Sequence, residues 1–249
     1  MNRFIVLSLG GWLVAMTGIG HSADFDVGRV MLRMPDDAWE SIGVGRRGHP
    51  FTGDRSGEIQ VETRNFLLRD KAGKFRAALA VGASRGVTTV RMSWTSNCQP
   101  RKNAHVVDNT RGNLNAIDCL RVTGPVPTQQ YLELDARDLL ADLTSRNVVL
   151  PRAAYVVIDE YGIENGAFTV VRAVFAADFK LPNEASSQAN LPTGVKPEAV
   201  AWGARLAEAV RSSMHSMSGI LALPAVSATP TNQAAAAGTR ATHCVAALG

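Results

Sequence analysis

Apolar and polar residues alternate along several stretches of this chain, which is the pattern of strands that bury one face. Residues 59–68 and 75–81 both alternate in this way, and Asp70-Lys71-Ala72-Gly73 lies between them. Asp and Gly are typical turn residues, so the two stretches predict a β-hairpin. Apolar and β-branched residues at 27–34 and 88–95 predict two further strands.

A longer hairpin is predicted around Asn165-Gly166, because this pair favours two-residue hairpin turns. The flanking stretches, 155–163 and 167–179, are mostly apolar. A two-residue turn at this position pairs Asp159 with Arg172 on one face of the sheet. The ordinary interpretation is a cross-strand ion pair at the margin of the sheet. The alternative is that the two residues contribute to a binding site.

Two amphipathic helices are predicted. One begins with Asp135 as its cap and extends to Arg146, with leucines along one side. The other begins near Pro197, which suits a first helical turn, and ends at Gly219. Its apolar residues recur at helical spacing, at Leu206, Val210, Met214 and Met217, and the methionines are expected to fill the core.

Strands followed by a helix, a long hairpin and a closing helix predict an α+β fold, a mainly antiparallel sheet with two packed helices in a single domain over residues 24–223. At the level of fold this order resembles the PsbP-like sandwich proteins. An α/β/α sandwich is therefore the alternative architecture. The resemblance implies no function.

The first 23 residues have the pattern of a secretory signal peptide. Arg3 precedes an apolar run over 4–19, and Gly20-His21-Ser22-Ala23 then provides mostly small residues for cleavage. The run is short for a membrane span and contains three glycines, Gly10, Gly11 and Gly18. We therefore expect an exported, periplasmic or secreted protein with no membrane span after cleavage. The excess of Arg over Lys and the many alanines are typical of a GC-rich bacterium.

The formal net charge of +4 is mild, and the basic residues are dispersed along the chain. They form no basic stripe interleaved with aromatic residues, which argues against nucleic-acid binding. From Pro224 to Gly249, Ala, Thr, Gly and Ser replace large apolar residues. This composition predicts a disordered tail over 224–249.

The chain has three cysteines. Cys98 and Cys119 bracket a polar segment, and in an oxidising compartment they predict a disulfide. A metal site is the alternative, but neither residue belongs to a C-x-x-C pair and His105 is the only nearby imidazole. We predict no metal. Cys244 is left over, either free or paired with another molecule.

Gly82-Ala83-Ser84-Arg85-Gly86 matches the G-x-S-x-G motif of serine hydrolases, with Asp159 or Asp178 and then His215 following in the chain order of that class. In those enzymes a helix follows the serine. Here residues 87–90 favour a strand instead. The alternative is a β-turn between two strands.

Gly43-Val44-Gly45-Arg46-Arg47-Gly48 matches G-x-G-x-x-G, but His49-Pro50 follows where a dinucleotide site requires a helix. We expect an irregular loop over 43–57. Arg46 and Arg47 in such a loop could bind an anion or an acidic partner, and the alternative is a solvated loop. Asp108 to Asn113 resembles a calcium loop only faintly, since Cys119 stands where the bidentate Glu belongs.

These patterns favour a non-catalytic binding or accessory module of the bacterial cell envelope, with an envelope protein or a small ligand as its partner and with no cofactor. The alternative function is a serine hydrolase that uses Ser84. The candidate binding residues are Arg46, Arg47, Asp159 and Arg172.

Overall fold

The computed structural model describes residues 24–35, 38–53, 56–87, 91–94, 98–182 and 190–226. The predicted signal peptide, most of the predicted tail and Cys244 lie outside these residues. The strands are β1 (Asp24–Val27), β2 (Val30–Arg33), β3 (Trp39–Gly53), β4 (Gly57–Arg69), β5 (Phe75–Ser84), β6 (Met92–Ser93), β7 (Ala104–Asp108), β8 (Ile117–Pro127), β9 (Ala153–Gly162), β10 (Phe168–Ala176) and β11 (Ile220–Ala222). The helices are α1 (Thr128–Asp135), α2 (Arg137–Ser145) and α3 (Pro197–His215).

Eight strands form one sheet in the order β6-β3-β4-β5-β10-β9-β8-β7. All of its neighbouring strands run antiparallel. A smaller sheet has the order β1-β2-β11, in which β11 runs parallel to β2. The prediction of a mainly antiparallel sheet is therefore confirmed, whereas the prediction of two helices is replaced by three in the described part of the chain.

Helices lie against both faces of the large sheet. On one face, α3 and the small sheet bury a cluster that includes Phe66, Val157, Phe175 and Trp202. On the opposite face, α1 and α2 cover the end of the sheet around Leu67 and Val174. We call these the α3 face and the α1/α2 face. Each strand therefore buries residues on both of its sides, which explains why the strands of the second hairpin are apolar almost throughout.

The first hairpin is formed by β4 and β5, as predicted. The carboxylate of Asp70 accepts hydrogen bonds from the backbone N–H groups of Ala72 and Lys74, at 3.0 and 2.9 Å. Gly73 follows with φ +77°, a backbone conformation that other residues rarely adopt. The turn is thus an Asx turn closed by glycine.

The prediction that residues 43–57 form a loop is wrong. Most of this segment belongs to β3, which pairs with β4 from Trp39 to Phe51. Its glycines allow close approach of other groups, since a Cβ on Gly43 would collide with the carboxylate of Asp142 on α2. The glycine-rich segment is a strand because it pairs with β4, and Gly43 leaves room for the side chain of Asp142 against its backbone.

The helix predicted after Asp135 corresponds to α2, which runs from Arg137 to Ser145, and α1 before it was not predicted. Asp135 ends α1, and Ala136 leaves the helical conformation with φ −149° and ψ 51° before α2 begins. Leu132 of α1 and Leu139 and Leu143 of α2 are all buried in one cluster. The bend thus lets two short helices pack their apolar sides against the same end of the sheet.

The helix predicted at Pro197 is confirmed, with the proline in its first turn. Leu206 and Val210 are fully buried, but Met217 is fully exposed, so its predicted role in the core is wrong. The indole N–H of Trp202 donates to the carbonyl oxygen of Pro224 at 3.3 Å, and Val226 is buried. The first residues of the predicted tail therefore pack against α3.

The long hairpin has a different register from the one predicted. The N–H of Ile163 donates to the carbonyl oxygen of Ala167, and the N–H of Gly166 donates to that of Ile163. Gly166 has φ +78°, so the loop is a three-residue turn in which glycine occupies the bulge. Arg172 consequently pairs with Ile158, and Asp159 pairs with Val171.

A disulfide joins Cys98 and Cys119, as predicted. It ties the segment before β7 to the first part of β8. Within the described residues, no helix combines the length and apolar character needed to cross a membrane.

Candidate functional site

The structure does not bring together the predicted serine triad. Ser84 is the last residue of β5 and is 1% exposed, and its Oγ accepts a hydrogen bond from the N–H of Phe168 at 3.1 Å. It faces the α1/α2 side of the sheet, where its pairing partner Val61 also lies. His215 lies on α3 and hydrogen-bonds to the hydroxyl of Tyr161 at 2.7 Å. Serine and histidine therefore lie on opposite sides of the sheet.

Arg46 and Arg47 are consecutive strand residues, so their side chains point to opposite faces of the sheet. Arg46 is exposed. Arg47 is partly buried on the α1/α2 face. The prediction that the two arginines act together on a loop is therefore wrong, and only Arg47 belongs to the site described below.

Asp159 and Arg172 are also on opposite faces, because the hairpin register differs by one residue from the predicted one. The acid that meets Arg172 is Glu160. Arg172 donates from Nη2 to Oε1 of Glu160 at 3.4 Å, and Arg121 on β8 donates from Nη2 to Oε2 at 2.7 Å. One carboxylate is therefore shared by two arginines of different strands.

Arg47, Arg121 and Arg172 together with Glu160 form what we call the arginine belt, which crosses the α1/α2 face between two apolar clusters. Burial, and then the positive charge of Arg172, lower the pKa of Arg47, while Asp138 and Glu160 oppose this effect. The Nε of Arg47 has no hydrogen-bond partner among the described residues. The belt therefore holds more buried positive charge than its own carboxylate neutralises.

Beside the belt lies a cavity of about 220 Å³, which we call the polar cavity. It is lined by Arg47 and Arg172, by Thr63 and Asn65 of β4, and by the start of α2 with Asp138. Thr63 is 7% exposed, and its Oγ1 has no hydrogen-bond partner in the described structure. A buried hydroxyl without a partner is unfavourable, and a ligand in the polar cavity would satisfy it.

The floor of the polar cavity is formed by small residues of β5. Ala80 and Gly82 lie between the longer side chains of β4 and β10. A Cβ on Gly82 would lie 3.0 Å from Val61 and 3.1 Å from Val170, so even a methyl group would be crowded there. The absence of side-chain bulk on this strand creates the hollow.

Tyr131 on α1 lies near the other end of the belt. Burial raises its pKa to about 12, with Arg172, Arg121, Asp135 and Glu160 acting on it as well. The phenol is therefore neutral and can donate a hydrogen bond, and its oxygen has no partner in the described part of the chain.

A second cavity, of about 440 Å³, adjoins the belt on the side of β8, and we call it the apolar cavity. Its lining includes Val126, Tyr131 and Ile158, with Arg101 and Lys102 at the mouth. Leu134 and Asp135 of α1 line both cavities, so the two are neighbours under the same helix. The apolar cavity by itself falls within the range of about 300–1,000 Å³ that is typical of small-ligand sites.

His49 lies beside the arginine belt, two residues after Arg47 on β3. Its ring stacks on Phe168 with a centroid distance of 4.2 Å, and Trp94 lies next to both. Burial lowers the pKa of His49 to about 4, against the attraction of Glu160. The imidazole is therefore neutral near pH 7 and adds no charge to the belt.

Asp159 has a separate environment on the α3 face. It is 1% exposed, and its Oδ1 has no hydrogen-bond partner within the described residues. Burial raises its pKa to about 8, the charge of Asp118 adds to this, and Arg211 opposes it. Arg211 donates to Asp118 at 2.9 Å instead. Asp159 is therefore a buried acid beneath α3, and it lies on the opposite face of the sheet from the arginine belt.

Analysis of the sequence missed Glu160, Arg121, Thr63 and Tyr131 as site residues. A signal was present for two of them, because Leu120-Arg121-Val122 and Asp159-Glu160 place charges in the middle of apolar strands. A charge at such a position is costly unless a partner reaches it. Which partner reaches it depends on strand order, which is not readable from the spacing.

The arrangement provides guanidinium groups, a neutral phenol and a hydroxyl around two neighbouring cavities, and such groups bind anions. In the described part of the chain, no group of three or more His, Cys, Asp or Glu residues could hold a metal ion. Comparison with known proteins finds no matching family model, no matching curated protein and no matching solved structure.

Proposed function

We propose that this protein is a non-catalytic binding module of the bacterial cell envelope, exported to the periplasm, and that it binds a small anionic ligand in the polar cavity. The single observation that carries the proposal is the position of Arg47. This guanidinium lies beside Arg172 at a cavity, and its Nε has no partner in the described structure.

The charge balance of the belt supports an anionic ligand. Glu160 pairs with Arg121 and Arg172 but not with Arg47, and the further acids beside the polar cavity, Asp135 and Asp138, are exposed on α1 and α2. Exposed carboxylates are screened by water and compensate a buried charge only weakly. An anion between Arg47 and Arg172 would relieve their mutual repulsion and gain charge-assisted hydrogen bonds.

The available donors match an acid group in number and kind. Arg47 offers its Nε, Thr63 offers its hydroxyl, and Arg172 lines the same cavity. A carboxylate or a phosphate accepts several such bonds at once. Only small adjustments of these side chains would be required, because the polar cavity is already formed between them.

Export is supported by the pattern of the first 23 residues and by the disulfide between Cys98 and Cys119. Disulfides persist in oxidising compartments such as the bacterial periplasm. Both features are consistent with a protein that works in the cell envelope.

The test is calorimetric titration of the full chain with acetate and with inorganic phosphate at low ionic strength. Replacing Arg47 by Gln should weaken binding by about tenfold or more, since one charged hydrogen bond contributes about 1.5–3 kcal/mol. Arg46→Gln is the matched control, because Arg46 precedes Arg47 on the same strand but is exposed on the other side. Its affinity should equal that of the unmodified protein. If neither anion binds, or if Arg47→Gln binds as well as Arg46→Gln, the proposal is wrong.

A further inference from the structure

We propose that the ligand is an amphipathic anion, with its acid group between Arg47 and Arg172 and an aliphatic or aromatic part in the apolar cavity. This inference rests on the proposed function and adds the chemical class of the ligand. It is carried by the position of the two cavities on either side of one arginine belt.

The apolar cavity is the larger of the two, at about 440 Å³ against about 220 Å³. Its lining includes Ile158, Val126 and the ring of Tyr131, none of which can bind an acid group through charge. Arg121 also lines it, but this guanidinium is already paired with Glu160 at 2.7 Å. An alkyl chain or a ring placed against these side chains would be removed from water, which is favourable.

The distance between the two parts is suitable for a small molecule. Arg172 on β10 and Arg121 on β8 are separated by one strand, β9. Two strand spacings of about 4.8 Å place them about 10 Å apart across the sheet. A ligand of about this length could keep its acid group near Arg172 while its other end reaches Ile158 and Val126.

The ligand could also bind in the reversed orientation, with its acid group near the cations at the mouth of the apolar cavity. This orientation is less favourable. Arg101 and Lys102 are exposed, so their charges are already solvated. Thr63 lines the polar cavity and has a buried hydroxyl without a partner in the described structure, so an acid group that this side chain turns towards would satisfy it. The acid group is therefore assigned to the polar cavity and the apolar part to the other.

The test compares acetate, hexanoate and the neutral hexan-1-ol by calorimetry on the full chain. Each methylene that enters the apolar cavity should raise affinity by about fourfold, so hexanoate should bind about tenfold or more tightly than acetate. Hexan-1-ol should bind far more weakly than hexanoate. Arg47→Gln should weaken hexanoate binding by about tenfold, whereas Arg46→Gln should leave it nearly unchanged, because Arg46 is exposed on the other side of the sheet.

A variant that fills the apolar cavity tests whether the alkyl chain of hexanoate binds there. Gln130 is an exposed residue of α1 that lines the apolar cavity, whereas Gln129 is exposed and does not line it. Gln130→Trp should remove the advantage of hexanoate over acetate and leave acetate binding intact, and Gln129→Trp should change neither. Both substitutions are at exposed helix positions, where folding tolerates a large side chain.

The outcomes separate this inference from the proposed function. Acetate binding without any gain for hexanoate overturns the amphipathic ligand and leaves anion binding standing. A gain that persists in Gln130→Trp, or hexan-1-ol that binds as tightly as hexanoate, also overturns the inference. If neither acetate nor hexanoate binds, the proposed function fails with it.

Discussion

Arg121 on β8 and Glu160 on β9 form a nearly fully buried ion pair, with 2.7 Å between Nη2 and Oε2 and with side-chain exposures of 6% and 4%. The two residues are offset along neighbouring strands, since Arg121 pairs with Ile158 and Glu160 pairs with Cys119. Arg172 approaches the same carboxylate from the strand on the other side, β10. Glu160 therefore joins Arg121 and Arg172 across three neighbouring strands.

Replacing Glu160 by Gln should destabilise the protein strongly. The change leaves Arg121 and Arg172 buried without their shared carboxylate, and breaking a buried pair in this way typically costs about 3–5 kcal/mol. The free energy of unfolding, measured by urea denaturation, should fall by about this amount. Glu164→Gln is the control, because Glu164 pairs with Arg91 at an exposed site and should contribute about 1 kcal/mol or less. Equal effects of the two substitutions would contradict the assigned role of Glu160.

Thr63→Val should not lower the stability of the protein without ligand. The hydroxyl of Thr63 is buried and has no partner in the described structure, so its removal relieves a desolvation cost of about 1–3 kcal/mol. The same substitution should weaken anion binding, because Thr63 lines the polar cavity.

Thr128→Val is the matched control for this prediction. Thr128 is also buried with an unpartnered hydroxyl in the described part of the chain, but it does not line the polar cavity. Both variants should keep their stability in thermal denaturation, and only Thr63→Val should lose anion affinity in calorimetry. Equal losses of affinity would show that the hydroxyl of Thr63 does not contact the ligand.

Asp159 should make stability fall as pH rises. Burial raises its pKa from 3.8 to about 8, so the folded protein retains a proton that the unfolded chain releases. The stabilisation that this proton gives the folded state is fully present below pH 3.8. It decreases between pH 3.8 and about pH 8, and it is lost above about pH 8. Asp159→Asn should remove this part of the slope when unfolding is measured by urea at a series of pH values.

Asp24→Asn provides a control of opposite sign. The pKa of Asp24 is lowered by its hydrogen bond from Arg33, so its contribution is lost only as pH falls below the usual range of an Asp. The slope between about pH 4 and pH 8 should therefore be unchanged in this variant. A slope that is unchanged in Asp159→Asn as well would show that Asp159 keeps an ordinary pKa.

Gly166→Ala should destabilise the long hairpin. Gly166 has φ +78°, and an L-residue pays about 1–2 kcal/mol in this conformation. Gly86→Ala should have an effect within about 0.5 kcal/mol, because a Cβ at Gly86 meets no atom within 4 Å. Urea denaturation of both variants checks the prediction. If they are equally stable, the three-residue turn and the register it sets are in doubt.

The sequence predicted the elements whose signals are local. The hairpin of β4 and β5 could be predicted because alternation and an Asx turn depend on neighbouring residues, and α3 could be predicted from Pro197 and its helical spacing. The disulfide could be predicted because Cys98 and Cys119 had few alternative partners. In each case the relevant physics lies within a short stretch of chain or a small set of residue types.

Only the tertiary structure decided the site. One additional residue in the turn at Gly166 moved Asp159 to the α3 face and placed Arg172 with Glu160, since successive side chains of a strand point to opposite faces. Arg47 lies beside Arg172 and Glu160 because the glycine-rich segment that contains it pairs with β4 and is therefore part of the sheet. Register and strand order arise from contacts far apart in the chain. For that reason the sequence alone determined which charges are present, and the fold determined which of them meet.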